Sequence, residues 1–186
     1  MKITEQTVHT PPVLSSNGIT LRLAASEDLP AIRAYRSDPE NCRYIAPVES
    51  FADTQALVKK LAQPWRFTTG YWNGFVVCKE GCNKAIGEVV FRVEDWDNQR
   101  AEVGYRMAPE SAGQGICTKA MAMLIQYIFD EFCFYKVVAK CDPRNIASYR
   151  VMEKLGMQRE AHFKGHYRIG DEWTDQYDYG LLRSDF

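Results

Sequence analysis

The residues whose types and spacing first invite chemistry run Tyr105-Arg106-Met107-Ala108-Pro109-Glu110-Ser111-Ala112-Gly113-Gln114-Gly115-Ile116-Cys117-Thr118-Lys119-Ala120. A strand pattern ends, a loop bearing two glycines turns, and an apolar helix pattern begins. Such a junction leaves main-chain N–H groups without partners at the positive end of a helix dipole. That is a site for a phosphate, and Gly113 and Gly115 would let the backbone approach one without a Cβ in the way. The same two glycines also suit a tight turn with no ligand. Two other phosphate loops are excluded. Gly115 is followed by Ile116 rather than by the Lys-Ser/Thr of a P-loop, and Thr118 stands where a dinucleotide fingerprint needs Gly or Ala.

The elements that must position this junction follow from periodicity. Ile19 to Leu23 alternates as a half-buried strand does. Ser26 as N-cap opens a helix that runs to the Pro39 breaker, and a second helix spans about Ala52 to Leu61. Residues 65–74 form a loop. Strands at 75–78, 85–93 and 100–107, joined by polar turns, form an antiparallel meander. Ile116 to Phe132 is a helix apolar on most sides, and Tyr135 to Cys141 is a buried strand. Ile146, Tyr149, Met152 and Leu155 stripe a further helix, stopped at Leu155-Gly156-Met157. Strands near 157–163 and 176–182 close the chain. The order predicts one mixed α/β layer preceded by a polar arm over residues 1–18.

Composition bounds the rest. At 186 residues the chain makes one domain with a sizeable core. Lys plus Arg is 23 against Asp plus Glu 24, so nothing holds it on nucleic acid by bulk charge. The polar N-terminus lacks the apolar stretch of a signal peptide, and the longest clean apolar run is Ala120 to Ile125, so no membrane partner and a cytoplasmic location are expected. Cys42, Cys78, Cys82, Cys117, Cys133 and Cys141 include no Cys-x-x-Cys pair and read as reduced thiols. His162-x-x-x-His166 has a metal-like spacing, but the strand context and Gly165 argue against a metal. The turn Glu94-Asp95-Asp97 reads as a solvated hairpin tip or as an attractor for a basic acceptor. Trp65, Tyr71 and Trp72 read as core or as pocket lining.

Three motifs in this order resemble the GNAT acetyltransferases, and among them the RimJ/RimL-like branch, over residues 19–184. The first is Glu102-Val103-Gly104-Tyr105 through Gly113-x-Gly115 to Thr118-x-Ala120. The second is Asn145-Ile146-Ala147-Ser148 through Lys154-Leu155-Gly156-Met157. The third is Asp171-Glu172-Trp173-Thr174-Asp175 through Tyr179-Gly180-Leu181-Leu182. The resemblance implies a GNAT fold over residues 19–186. Its central sheet is mostly antiparallel and twisted, flanked by helices, and splays between the fourth and fifth strands.

The resemblance further implies acetyl-CoA as donor and a primary amine as acceptor, joined by direct attack in a ternary complex, with no metal. Cofactor contacts fall on Gly113, Gln114, Gly115, Ile116, Cys117 and Thr118 around the pyrophosphate, on Met107 along the pantetheine arm, and on Asn145. The amine must lose a proton first, since α-amines titrate near ~8 and Lys near ~10.4. Glu102 is the first candidate base, with Glu88, Glu160 or water as alternatives. A backbone N–H around Met107 would meet the oxyanion. Met152 stands where the wider family has a Tyr acid, so Ser148 is the nearest donor to the leaving thiolate, with Tyr149 in reserve. Glu110 replaces the family's usual Gln or Arg. The branch implies a protein N-terminal α-amine as acceptor. A small amine, such as an antibiotic or a polyamine, and a non-catalytic acyl-CoA-binding module are the alternatives.

Overall fold

The computed structural model describes residues 3–186; Met1 and Lys2, at the head of the expected arm, lie outside the described residues. In chain order the strands and helices begin with β1 (Val8–His9), β2 (Leu14–Ser16) and β3 (Ile19–Arg22). Helices α1 (Leu29–Arg36), α2 (Pro39–Cys42) and α3 (Phe51–Leu61) follow, then β4 (Trp65–Arg66), β5 (Asn73–Lys79), β6 (Ala85–Asp95) and β7 (Arg100–Met107). The chain continues through α4 (Ile116–Phe132), β8 (Lys136–Cys141), α5 (Ile146–Lys154), β9 (Gln158–Ile169) and β10 (Glu172–Leu182).

Eight strands form one sheet in the order β2-β3-β5-β6-β7-β8-β10-β9. Every pairing is antiparallel except β7 with β8, which is parallel and extends only from Arg100 opposite Lys136 to Glu102 opposite Val138. Beyond Glu102 the two strands part. This is the splay expected between the fourth and fifth strands of the sequence reading. Among the described residues, the parting leaves one edge of β7 without a strand neighbour beyond Glu102. The Ala108 N–H donates to the Ile86 carbonyl at 2.9 Å. By strand alternation the N–H and carbonyl of Met107 therefore face away from β6, into the gap.

Alternation also sorts the side chains of β7. Ala101 and Val103 enter the larger core, where Leu124, Ile128 and Phe129 of α4 pack with Phe75 and Phe91. The opposite face of the sheet is covered at one end by α1 and α3, with Ile32, Tyr35, Val58 and Leu61 against Val76 and Cys78. On that second face Glu102, Gly104 and Arg106 of β7 stand opposite Arg92, Val90 and Glu88 of β6. Helices therefore flank both faces, and the two sides of β7 serve different purposes.

Several expectations need correction. The arm contains two strands: β1 pairs with β4, and β2 pairs with β3. The stretch read as loop contains β4. Two- and three-residue strands are too short to show a period of two. Ser26 caps no helix: its hydroxyl donates to Glu27, and Asp28 instead accepts from the Ala25 N–H at 2.8 Å. The helix expected up to Pro39 ends at Arg36, and Asp38 caps a separate turn, α2, by accepting from the Glu40 N–H. β9 and β10 meet in a hairpin longer than the strands expected near 157–163 and 176–182: β9 continues through Gly165 to Ile169, resuming the alternation of Ala161 and Phe163 at Tyr167 and Ile169, and β10 begins at Glu172.

Candidate active site

A cleft of about 920 Å³ opens where β7 and β8 part, and it has three regions. The first is the loop at the head of α4. Gly113 and Gly115 have φ of +74° and +72°, and a Cβ built on either would meet no atom within 4 Å. The first main-chain bond of the helix is Lys119 N–H to the Gly115 carbonyl at 3.1 Å. Among the described residues, the N–H groups of residues 113–118 find no carbonyl. Backbone strain and empty space thus coincide at two glycines around a set of free donors. This is what a bound pyrophosphate requires, and the residues present fit one. Gly113, Gly115, Ile116, Cys117 and Thr118 line the cleft. Gln114 does not, since its side-chain amide turns back to the Glu110 carbonyl at 2.9 Å.

The second region is the gap itself. Met107 lines it, and its carbonyl accepts from Asn41 Nδ2 at 3.1 Å, while Asn41 also donates to the Tyr35 carbonyl at 2.9 Å. Helix α2 is thereby fastened to the edge of β7. On the other wall Asn145 caps α5, its Oδ1 accepting from the Ser148 N–H at 3.2 Å. The Tyr105 hydroxyl donates to the Ser148 carbonyl at 2.7 Å and lies 3.1 Å from Ser148 Oγ. Tyr105 has a single proton and spends it on the carbonyl, so the Ser148 hydroxyl is the donor in the second contact, or donates into the cleft. Burial holds the Tyr105 phenol well above its ordinary value, so it stays protonated. Tyr149 falls outside the cleft lining and packs its ring on Tyr177 at 6.0 Å. One residue along a helix is a turn of about 100°, which separates it from Ser148. Burial pushes the Cys117 thiol up to about 12, which keeps it from being a thiolate nucleophile.

The third region is the face carrying Glu102, Gly104 and Arg106. Glu102 is 8% exposed. Its Oε2 accepts from Arg92 Nη2 at 2.7 Å and from Lys140 Nζ at 3.1 Å, and neither bond uses Oε1. Burial opposes the charge on Lys140, but its bonds to Glu94 and Glu102 outweigh that and raise its pKa. Glu88 is buried in the cleft lining, with the Tyr35 hydroxyl on one oxygen and Arg36 on the other, so both oxygens are engaged, whereas Glu102 keeps one oxygen without a bond. Glu160 lies outside the cleft lining, paired with Lys136 at 2.6 Å. Trp72 lines the cleft under the Arg92 guanidinium at 4.6 Å, whereas Trp65 belongs to the core. Glu94 is paired with Arg100 and Lys140, and Arg100 is shared with Asp95. His162 bonds Asp175 on the exposed hairpin, and no group of three or more His, Cys, Asp or Glu is placed to hold a metal among the described residues.

Sequence reasoning gave no individual role to Tyr105 or Arg106 and did not reach Asn41. Tyr105 was reachable, because it lies two residues before Met107 and so shares its side of the strand. Asn41 carried no signal, since its contact with Met107 spans 66 positions.

Fold and cleft together put a helix head with free N–H groups on one side of a parted strand and a polar recess on the other. The sequence matches the GNAT acetyltransferase domain over residues 19–158. It is 30% identical to the uncharacterized N-acetyltransferase YnaD of Bacillus subtilis (strain 168), over 93% of this chain and 98% of that protein. A GNAT-family acetyltransferase structure from Bacillus anthracis superposes with a TM-score of 0.80 at 30% identity, covering 93% and 99% of the two chains. The ribosomal-protein-serine acetyltransferase of Escherichia coli (strain K12) is 29% identical over 57% of this chain and 58% of its own length. The chain belongs to the GNAT acetyltransferase family and is an acetyl-CoA-dependent N-acetyltransferase. No helix among the described residues is long and apolar enough to cross a membrane.

Proposed function

We propose that this enzyme acetylates the α-amine at a protein N-terminus, in a cytoplasmic setting, with residues 19–186 as the catalytic domain. The observation that carries the transferase chemistry is the glycine cradle of free N–H groups at the mouth of the β7–β8 gap. The acceptor is supported by the RimJ/RimL-like motifs and by the likeness to the ribosomal-protein-serine acetyltransferase. The N–H groups of residues 113–118 hold the pyrophosphate of acetyl-CoA, which supplies an activated acetyl thioester. The edge of β7 at Met107 meets the carrier arm and Asn145 fixes the opposite wall.

The reaction forms a C–N bond, breaks a C–S bond and releases one proton from the amine. Glu102, through Oε1 or an intervening water, takes that proton. The Met107 N–H faces the gap and supports the oxyanion. The Ser148 hydroxyl, oriented by Tyr105, donates toward the departing sulfur. The test is twofold. Millimolar acetyl-CoA should raise the thermal midpoint, since ligand that binds only the native state stabilises it by mass action. Free thiol should then appear on adding peptides with free N-termini and not with their N-blocked forms. No thermal shift, with no heat of binding by calorimetry, would overturn the cradle. Turnover of small amines alone would overturn the acceptor.

A further inference from the structure

One buried cation of the cleft has no carboxylate bonded to it. Arg106 is 5% exposed, yet among the described residues its guanidinium hydrogen-bonds only to the Cys42 sulfur, at 3.7 Å. No carboxylate among the described residues lies within ion-pair distance of it. Its cross-strand neighbour Glu88 is bound to Tyr35 and Arg36. The other acid of the recess, Glu102, is shared by Arg92 and Lys140. Arg36 is also held by Glu49, so Glu88 offsets part of the charge of Arg106 from across the strands, but the N–H fork of Arg106 has no carboxylate bonded to it and is left for an incoming group.

The position of Arg106 says what that something is. It shares the β7 face of Glu102, whereas α4, whose head forms the phosphate cradle, packs against the other face of that strand. The carrier's phosphates are therefore not its partner. Between Glu102 and Arg106 on this face stands Gly104, which lines the cleft and has no side chain to fill it. The floor of that notch is Val90 and Trp72, whose atoms a Cβ would meet at 3.4 and 3.7 Å. At about 3.3 Å per residue, Gly104 lies roughly 7 Å along the strand from each neighbour. An amine over the notch has a carboxylate on one side and an unpaired guanidinium on the other.

We propose that Arg106 binds a carboxylate on the acceptor, two to four bonds from the nitrogen being acetylated. The enzyme then selects acidic amines and rejects polycationic ones. This rests on the cleft being the transferase site described above. The carboxylate has two sources: the side chain of an acidic first residue of a peptide, or the α-carboxylate of a free amino acid.

The experiment compares matched pairs at saturating acetyl-CoA. One arm sets peptides beginning with Asp or Glu against those beginning with Asn or Gln. The other sets free amino acids against their α-amides. In one arm the carboxylate member should have a KM lower by about 30-fold or more, the size expected when a buried charge pair is completed. Arg106→Gln should erase that preference by raising the KM of the carboxylate member while its amide twin changes by less than about threefold. Arg106→Lys keeps the charge and loses the bidentate fork, so it should recover part of the preference. If Arg106→Gln does not fold, Arg106→Lys must still raise KM for the carboxylate member alone. Where turnover is too slow to read, calorimetry on the CoA-loaded enzyme measures the same pairs. Indifference of the wild type in both arms overturns the proposal, as does a preference that survives in Arg106→Gln or an equal loss on both members of a pair. The thermal shift with acetyl-CoA separates the two readings. Absence of that shift removes the transferase site, and its presence with indistinguishable pairs removes only the role of Arg106.

Discussion

At the scale of single residues, the Ser148 hydroxyl differs from an ordinary helix serine in having its acceptor roles and its donor role separated. Asn145 takes the Ser148 N–H and Tyr105 takes its carbonyl, so the residue is pinned at both main-chain groups. Its side chain is left to donate. A thiol titrates near ~8.5, so help to the leaving sulfur is given mainly in the transition state. Ser148→Ala should lower kcat by about 10²-fold, the low end for a positioned acid, with acetyl-CoA affinity nearly unchanged. Tyr105→Phe removes one hydrogen bond of about 1 kcal/mol, so it should cost roughly fivefold if the phenol only orients Ser148. Steady-state kinetics with a fixed acceptor reads both. A loss in Tyr105→Phe as large as that in Ser148→Ala would make the phenol the donor. Full activity in both would assign no acid to this pair.

At the scale of elements, the loop between β7 and α4 stores its specificity in backbone conformation rather than in side chains. Gly115 is the N-cap of α4 in the left-handed region, with no side-chain cap. Gly115→Val adds strain of about 1–2 kcal/mol at this φ and places a branched side chain in the empty space of the cradle. Acetyl-CoA binding, followed by calorimetry, should weaken by at least tenfold, while the thermal midpoint of the free protein falls only modestly. Normal affinity in a folded variant would mean that the phosphates lie elsewhere. This junction was legible in the sequence because glycines at a strand–helix boundary announce positive φ and free donors. α4 and β7 were legible to the residue because a long apolar run and a clean alternation fix their ends. The Schellman ending of α5 was legible too: Gly156 sits at φ +84° and the Met157 N–H returns to the Met152 carbonyl at 3.1 Å. What stayed hidden depends on contacts between distant segments. Asn41 on Met107, the unpaired state of Arg106 and the occupied state of Glu88 are decided by which element packs where, and no local period encodes them.

At the scale of the whole molecule, the stretch before β3 is tied into the fold by a group that titrates. His9 pairs opposite Trp65. Its Nε2 lies 2.7 Å from the Tyr127 hydroxyl, and its ring meets Phe132 edge-on at 5.1 Å. Burial lowers its pKa from the ordinary 6.5, with the charge of Glu131 opposing in part. A base whose folded pKa is depressed favours the neutral form when folded. As pH falls below 6.5 the unfolded chain takes up the proton first, so stability declines until the folded imidazole titrates as well. The depressed carboxylates act lower. At Asp28 burial would raise the pKa, but the bonds from Arg22 and the Ala25 N–H outweigh it. At Glu94 burial is outweighed in the same way by Lys140 and Arg100. These groups stabilise fully above their unfolded values of 3.8 and 4.5, and that contribution is lost as pH falls through their folded ones. Acid unfolding should therefore show two limbs, the first beginning near pH 6.5 with a slope no steeper than about 1.4 kcal/mol per pH unit for a single histidine. Urea titrations between pH 7.5 and 3 read it. His9→Gln should be less stable at pH 7.5, from lost ring packing, and should flatten the first limb while leaving the carboxylate limb in place. An unchanged slope between pH 6.5 and 5 in His9→Gln would show that the first strand is not coupled to the rest through this proton.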